Sequence, residues 1–399
     1  MSQQEQAPLW ARPEAFPAKP VVGVFGFQDT KGKRHSAESL EELCQMVEHS
    51  KLGVDLVWSP PSDYMIAPEE LVGLRKVLIK RGSVWARNDI NDGCRLSLVM
   101  GAAILWAGYA AYQNNHGDWR AILNAPTVAV TAIMMLIFGL LPLYEGWQEL
   151  RKAGKRDKLY WDKEIANARF DSWLNLNLTP VTFVLLTIMV ITCAAQWFAS
   201  GGINWAQEAV AKVGLVKSTT AGGDPWWRYL TAPLVHGNLV HALINFASLR
   251  YLGRRAEVLA RWPHMVLVFV ISSFAGGMAT VYFMPDIPSV GASGGVLGLL
   301  GFLLAFETLH RALVPKSARK RLVAGLVMVA VMGVLGFSFI DNAAHAGGLI
   351  AGVVYALIVF PPSASLSRPD ILKKDRIVGA CGLTVLVVSA ALCVRLLLR

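Results

Sequence analysis

Nine long apolar stretches constrain the fold of this chain more than any other feature of its sequence. A helix that crosses a lipid bilayer needs about 20 mostly apolar residues. Nine stretches approach this length: roughly 96–113, 126–145, 180–199, 229–252, 265–284, 293–309, 322–340, 345–361 and 378–397. Charged residues make up only 17% of the 399 residues, whereas soluble domains usually carry about 25%. The sequence therefore predicts an all-α polytopic membrane protein.

A small soluble α+β domain is expected before these stretches, within residues 1–90. Its predicted elements are strands Val21–Phe27 and Val54–Trp58, a helix beginning where Ser39 and Glu42 have capping-box spacing, and a second helix opened by Pro68, Glu69 and Glu70. The histidines and carboxylates of this segment are predicted on loops or helix faces, with no catalytic pattern. An accessory domain and a solvated cap on the membrane part are equal alternatives. Residues 1–19 contain no apolar segment, so no signal peptide is expected.

Lysine and arginine residues predict the orientation of the chain in the membrane. They cluster in the 146–179 loop, after residues 252 and 309, and in the 362–377 segment, which all fall on one side. Because loops rich in Lys and Arg remain cytoplasmic, we expect a cytoplasmic N-terminus and an external C-terminus. The same clustering explains the net charge of +10, so nucleic acid is not an expected partner. A bacterial plasma membrane is the expected location, with an organellar membrane as the alternative.

Three histidines, His236, His241 and His345, lie within or at the external ends of apolar stretches. Ionisable residues are costly inside a membrane, so each is a candidate functional residue. Asn245 shares a helix face with His241, four residues earlier. A single polar residue would more simply join two helices by a hydrogen bond, but three histidines on one side favour a site. His-x4-His is a poor helical metal spacing, and no H-E-x-x-H motif is present. No metal or other cofactor is therefore expected.

Ser293 follows Gly291 and Ala292 at the start of a predicted span. The first N–H groups of a helix have no partner within it, and negative charge is favoured there. This position suits an oxyanion, and the glycines on either side of Ser293 allow a substrate backbone to approach closely. The alternative is that Ser293 is only a helix N-cap.

His345 begins another predicted span on the same side of the membrane. The two spans carry small-residue faces, Gly294-x3-Gly298 and Gly348-x3-Gly352, which let helix backbones approach closely. We therefore predict that the His345 imidazole lies within hydrogen-bond reach of the Ser293 hydroxyl. A hydroxyl becomes an effective nucleophile when an adjacent base takes its proton, so this pair suits acyl transfer.

Together these residues resemble the rhomboid family of intramembrane serine proteases. The matching pieces are Trp227-Arg228, the set of His236, His241 and Asn245, Gly291-Ala292-Ser293-Gly294, and Ala344-His345-Ala346-Gly347-Gly348 with Gly352. Their order across roughly residues 180–362 resembles the six-helix core of that family. The resemblance implies such a core, and about three of the predicted transmembrane helices, two before residue 180 and one after 378, lie outside it. One departure is Leu297, where many bacterial members carry an aromatic residue that packs on the catalytic histidine.

The resemblance also implies a mechanism and its residues. Ser293 would be the nucleophile, and His345 the general base and then the acid, without a third acidic member. The oxyanion would be held by the N–H of Ser293, by Asn245 and by His241, with Gly291 beside the substrate and His236 in a supporting role. Trp227-Arg228 would be structural, and Glu257 resembles the cytoplasmic-side glutamate of the family. Transmembrane or membrane-proximal protein segments would be the substrates, cut toward the external side.

The predicted organisation is a cytoplasmic domain (1–90), two extra transmembrane helices (95–145), a basic linker (146–179), the catalytic core (180–362), and a linker with a C-terminal helix (363–399).

One alternative function is a catalytically silent, rhomboid-like protein that binds membrane clients. This alternative is disfavoured because Ser293, His345, His241 and Asn245 are all present. A transporter is the other alternative, disfavoured because the polar residues crowd one side and no inverted repeat is visible. The sequence leaves the oligomeric state open.

Overall fold

The computed structural model describes residues 7–21, 23–60, 62–152, 156–202, 205–217, 224–337 and 339–399. The strands are β1 (Phe25–Asp29), β2 (Arg34–Ala37) and β3 (Val54–Trp58). The helices are α1 (Leu40–His49), α2 (Arg75–Asn114), α3 (Arg120–Asn124), α4 (Pro126–Met134), α5 (Leu141–Lys152), α6 (Lys158–Leu176), α7 (Pro180–Ala199), α8 (Trp205–Val213), α9 (Arg228–Thr231), α10 (Leu239–Ala260), α11 (Trp262–Phe283), α12 (Ser293–Leu309), α13 (Lys316–Leu335), α14 (Asn342–Val359) and α15 (Lys373–Leu397). The chain forms two compact units: unit 1, Met1–Leu176 with Val327–Ile340, and unit 2, Asn177–Leu326 with Asp341–Arg399.

Unit 1 begins with a three-stranded antiparallel sheet in the order β2-β1-β3. Strand β3 has the predicted bounds. Strand β1 begins at Phe25, later than predicted, because Gly23 has a φ of 80° that an extended strand does not allow. Strand β2 was not predicted, since its sequence of Arg34, His35, Ser36 and Ala37 is mostly polar.

Helix α1 begins at the predicted cap. The Ser39 hydroxyl accepts a hydrogen bond from the Glu42 N–H at 3.1 Å, and the Glu42 carboxylate accepts one from the Glu38 N–H at 2.8 Å. Apolar side chains of the helix then cover the sheet, in a core formed by Phe27, Ala37, Leu43, Val47, Val57, Leu74 and Val77. A folded α+β unit at the N-terminus, as predicted, is therefore present.

The second predicted helix of this region differs from the expectation. Pro68–Glu70 and Val72–Leu74 form short 3-10 turns, and α2 then continues unbroken for 40 residues. The predicted helix start at Pro68 is therefore wrong, and the helix is continuous with the first apolar stretch because no proline interrupts it. Helix α2 packs closely on α5: a Cβ atom added to Gly146 would lie 2.5 Å from the Ala86 carbonyl oxygen.

Among the described residues, six helical segments are long and apolar enough to cross a membrane: Val72–Asn114, Pro126–Lys152, Pro180–Ala199, Trp262–Phe283, Asn342–Val359 and Lys373–Leu397. Ser293–Leu309 is apolar but shorter. The two remaining predicted spans fall on α10 and α13, which are helical but are not among the six. The predicted bounds 229–252 are wrong at the first end, because α10 begins only at Leu239. Asn238 caps it there, its side chain accepting from the His241 N–H at 2.8 Å.

Helix α12 lies at the centre of unit 2. Every residue from Gly294 to Leu303 is buried, with α14 on one side and α11 on another. Helices α10 and α7 continue the bundle, and α15 packs against α11 and α7. This arrangement places the N-termini of α10, α12 and α14 at one end of the unit.

Candidate active site

Ser293 is the first residue of α12. The N-cap is Ala292, so the alternative that Ser293 serves only as the N-cap is wrong. The preceding turn needs a glycine, because Gly291 has a φ of 117°, which side-chain-bearing residues rarely adopt. The Gly291 N–H donates to the Ala232 carbonyl oxygen at 3.0 Å, which fixes the turn against the segment that precedes α10.

His345 is the fourth residue of α14, in the first turn of that helix. Asp341 is the N-cap, and its side chain accepts from the Ala344 N–H at 2.9 Å. The His345 N–H donates to the Asp341 carbonyl oxygen at 3.1 Å. The histidine therefore sits on a rigid, capped helix end.

The faces of small residues on α12 and α14 pack against each other, as predicted. A Cβ atom added to Gly348 would lie 2.0 Å from the Gly294 carbonyl oxygen, and one added to Gly352 would lie 1.9 Å from that of Gly298. Real Cβ atoms do not approach backbone so closely, so the two helices touch through bare backbone. Gly294 also lies beside Ala344, with 3.5 Å between an added Cβ and the Ala344 carbonyl oxygen. Ser293 and His345 are the chain neighbours of these two residues, so they occupy adjacent helix ends.

His241 lies over the turn that leads to Ser293. A Cβ atom added to Gly291 would be 2.5 Å from Cε1 and 2.9 Å from Nε2 of the His241 ring. Glycine at position 291 thus leaves room for this ring. The structure therefore brings together three of the predicted site residues, Gly291, His241 and His345, around Ser293.

Asn245 and His236 lie behind His241, and both are buried. The Asn245 amide donates to the His241 carbonyl oxygen at 2.9 Å. The His236 ring lies edge-on to that of His241, with 5.3 Å between ring centroids. Gln196 holds the His236 backbone from both sides: His236 N–H donates to Gln196 Oε1 at 3.1 Å, and Gln196 Nε2 donates to the His236 carbonyl at 2.6 Å. His236 contacts the site through His241.

The segment that carries these residues is similar to known proteins. Residues 223–362 match the model of the Rhomboid domain. The chain is 33% identical over 138 residues to RHOMBOID-like protein 6, mitochondrial, of Arabidopsis thaliana, covering 34% of this chain and 45% of that protein. It is 28% identical over 187 residues to Rhomboid protease GluP of Bacillus subtilis (strain 168), covering 46% and 35%. It is 27% identical over 153 residues to Inactive rhomboid protein 1 of Homo sapiens, covering 38% and 18%.

The chain is an integral membrane protein that contains a rhomboid domain. The matched segments span less than half the length of each of these relatives. Their names include both a protease and an inactive protein, so family membership alone does not assign an activity. Ser293 and His345 both lie within the matched residues 223–362.

Arg228 of the rhomboid domain has a structural role, as the resemblance implied. Its guanidinium donates to the carbonyl oxygens of Gly214 at 2.5 Å and Ala211 at 2.7 Å. These carbonyls lie at the C-terminal end of α8, where unpaired acceptors and a cation attract each other. Glu257 caps a helix at the other end of the unit, accepting from the N–H groups of Val181 and Thr182 at 3.1 and 2.7 Å.

Four polar residues next to the site were missed by the sequence reasoning. They are Lys217, Thr280, Ser289 and Asp341, which join in one hydrogen-bonded group. For Asp341 a signal was available, because an aspartate three residues before Ala344 has the spacing of an N-cap. The other three come from distant segments and carry no local signal.

Proposed function

We propose that this rhomboid-family protein is a serine endopeptidase that cleaves transmembrane or membrane-proximal segments of other proteins. The observation that carries the proposal is the backbone contact of α12 and α14 beside Ser293 and His345. This contact fixes the Ser293 hydroxyl and the His345 imidazole on adjacent helix ends, where the distance between the two groups can be kept small and constant. A nucleophile and its base need such preorganisation.

In the proposed reaction, His345 takes the proton from the Ser293 hydroxyl while the oxygen attacks the substrate carbonyl carbon. The carbonyl oxygen becomes an oxyanion, and three donors can hold it: the N–H of Ser293 at the helix start, the Asn245 amide and the His241 ring. The C–N bond then breaks, and His345 gives its proton to the leaving amine. Water hydrolyses the acyl-enzyme by the same steps in reverse order, with His345 again as the base.

The second candidate function is a catalytically silent protein that binds membrane clients. The name of one relative, Inactive rhomboid protein 1, favours keeping it as an alternative. The presence of Ser293, His345, His241 and Asn245 in one place supports the protease instead, because a client-binding protein has no need of a preorganised hydroxyl and imidazole.

A serine-directed fluorophosphonate probe separates these two functions. We expect the wild-type protein, reconstituted in liposomes, to be labelled and to cleave a reporter transmembrane substrate. Ser293→Ala and His345→Ala should abolish both signals, since one removes the nucleophile and the other its base. Absence of labelling in the wild type, or equal labelling of the histidine variant, contradicts the proposal.

The proposed location is a bacterial plasma membrane, with the N-terminus in the cytoplasm and the Ser293 side external. The distribution of Lys and Arg among the loops supports this orientation. Labelling of single cysteines from outside intact cells tests it: a cysteine at position 399 should react, and one at position 12 should not. The reverse pattern contradicts the orientation without affecting the proposed chemistry.

A further inference from the structure

A buried polar group lies directly behind the serine turn and the histidine helix. We name it the Asp341 network; it consists of Lys217, Thr280, Ser289 and Asp341. Lys217 follows α8, Thr280 is near the end of α11, Ser289 precedes the Ser293 turn, and Asp341 caps α14. Lys217, Thr280 and Ser289 are at most 9% exposed. Four separate segments are thus joined at one point of unit 2.

Hydrogen bonds connect the members in one direction, from the ammonium group to the carboxylate. Lys217 Nζ donates to Thr280 Oγ1 at 2.5 Å and to the Met284 carbonyl oxygen at 2.7 Å. The Thr280 hydroxyl then donates to Asp341 Oδ2 at 2.6 Å, and the Ser289 hydroxyl donates to the same oxygen at 2.5 Å. Because an ionised carboxylate only accepts hydrogen bonds, this pattern suits a charged Asp341.

The positive charge of Lys217 is stabilised by nearby carboxylates. Burial lowers the pKa of this lysine, and the nearby carboxylates of Asp341, Asp224 and Asp286 oppose that effect. A buried charge is costly unless it is paired and hydrogen-bonded. Lys217 and Asp341 therefore support each other through Thr280, each reducing the cost of burying the other.

The network contains more than a helix cap requires. Capping of α14 uses only the bond between Asp341 Oδ1 and the Ala344 N–H. The second oxygen binds the segment that carries Ser293, since Ser289 lies four residues before it. That segment is further paired with the Lys217 segment, because Leu215 and Ser289 exchange backbone hydrogen bonds at 3.1 and 2.9 Å. Asp341 thus holds the serine turn and the histidine helix together.

We propose that Asp341 is a positioning residue for the Ser293–His345 pair. It fixes the serine turn against the start of α14, and it places a negative charge one helical turn from the His345 ring. The Asp341 side chain caps the first turn of α14, the turn in which His345 lies. In the proposed reaction His345 becomes positively charged as it takes the serine proton, and a fixed carboxylate in a low-dielectric site stabilises that charge. The inference rests on the proposed function.

The test compares labelling rate constants of two variants that each neutralise a helix-capping carboxylate. Asp341→Asn keeps the shape of the side chain and an oxygen for the cap, but it removes the charge. Glu257→Gln does the same at the start of α7, away from Ser293. The rate constant for fluorophosphonate labelling is measured per active site, so it does not fall merely because less protein is folded. We expect Asp341→Asn to label about tenfold more slowly, and Glu257→Gln to label at the wild-type rate.

Further variants keep the test decisive if Asp341→Asn does not fold. Ser289→Ala and Thr280→Val each remove one hydrogen bond to the carboxylate and should slow labelling about threefold. Lys217→Met should slow labelling as well, whereas Lys217→Arg should label at close to the wild-type rate. The double variant Lys217→Met with Asp341→Asn should label no more slowly than the slower of the two single variants. Wild-type labelling rates in Asp341→Asn, or equal slowing in Glu257→Gln, overturn the inference. If the wild-type protein is not labelled at all, the proposed function is what fails.

Discussion

Unit 2 has two ends that are held together by different kinds of interaction. The Ser293 end contains Ser293, His345, His241 and His236; the Arg255 end contains Arg255, Glu307 and Glu257. Helix α12 joins them, since Ser293 and Glu307 are fourteen residues, or about 21 Å, apart along it. At the Ser293 end, helices meet through bare glycine backbone, and the charged groups of Lys217 and Asp341 are linked only through Thr280. At the Arg255 end, full charges are buried and paired.

One buried group at each end illustrates the difference. Arg255 forms a two-point ion pair with Glu307, at 2.6 and 2.9 Å, and both side chains are 1% exposed. At the Ser293 end, by contrast, His236 Nε2 is buried without a hydrogen-bond partner among the described residues. Buried polar groups normally have partners, and exceptions often mark functional sites. The Arg255 end is therefore expected to contribute stability, and the Ser293 end chemistry.

Breaking the ion pair should have the largest effect, and on stability alone. Arg255→Met leaves the Glu307 carboxylate buried without its main partner, so we expect a loss of about 3–5 kcal/mol in the free energy of unfolding. Combining it with Glu307→Leu should recover most of this loss, because no charge then remains buried. Unfolding in detergent measures the stability, and labelling of the folded fraction should be unchanged. A slower labelling rate constant would mean that the two ends are coupled.

Gly348→Ala should affect both stability and labelling. The added Cβ would meet the Gly294 carbonyl backbone, which cannot move aside like a flexible side chain, so α12 and α14 must separate. We expect a loss of about 3 kcal/mol of stability and little remaining labelling. The matched control is Gly325→Ala, because a Cβ atom there would have no neighbour within 4 Å. Near-wild-type labelling of Gly348→Ala would contradict the role of the backbone contact.

Asn245→Ala should slow the chemistry while leaving stability nearly unchanged. Loss of one oxyanion donor typically costs a factor of about 100 in rate, whereas its hydrogen bond to the His241 carbonyl contributes about 1 kcal/mol to folding. The measurement is kcat for a reporter substrate, with unfolding followed in parallel. A reduction of stability as large as that in Arg255→Met would assign Asn245 to structure instead.

The smallest expected effect appears at alkaline pH, where labelling of Ser293 should fall although the stability of the protein does not. Because burial lowers the pKa of Lys217, its ammonium group loses its proton at a lower pH than an ordinary lysine. At pH values between the pKa of Lys217 in the folded protein and its pKa in the unfolded chain, the unfolded chain binds more protons. A rise in pH through this range therefore does not lower the stability of the folded protein through Lys217. Labelling should nevertheless fall a few-fold. Lys217→Arg should remove that fall, because arginine stays charged; an identical alkaline profile in both proteins would contradict the role of Lys217.

Much of the fold was predictable because its signals are local. Apolar stretches located α7, α11 and α15, and the spacing of Ser39 and Glu42 located the start of α1. The small-residue faces of α12 and α14 correctly predicted that these helices touch. The errors occurred where local patterns compete: α10 begins at Leu239 because Asn238 caps it, and the polar strand β2 exists because β1 pairs with it.

The amino-acid sequence was enough to identify the candidates for chemistry, since serine, histidine and asparagine inside apolar stretches are costly unless they are used. It also determined the membrane class, because so many apolar residues must avoid water. Only the tertiary structure decided how Lys217, Thr280, Ser289 and Asp341 come together. Hydrogen bonds between residues separated by up to 63 positions (Lys217 to Thr280) depend on how helices pack, and no short pattern in the chain records that packing.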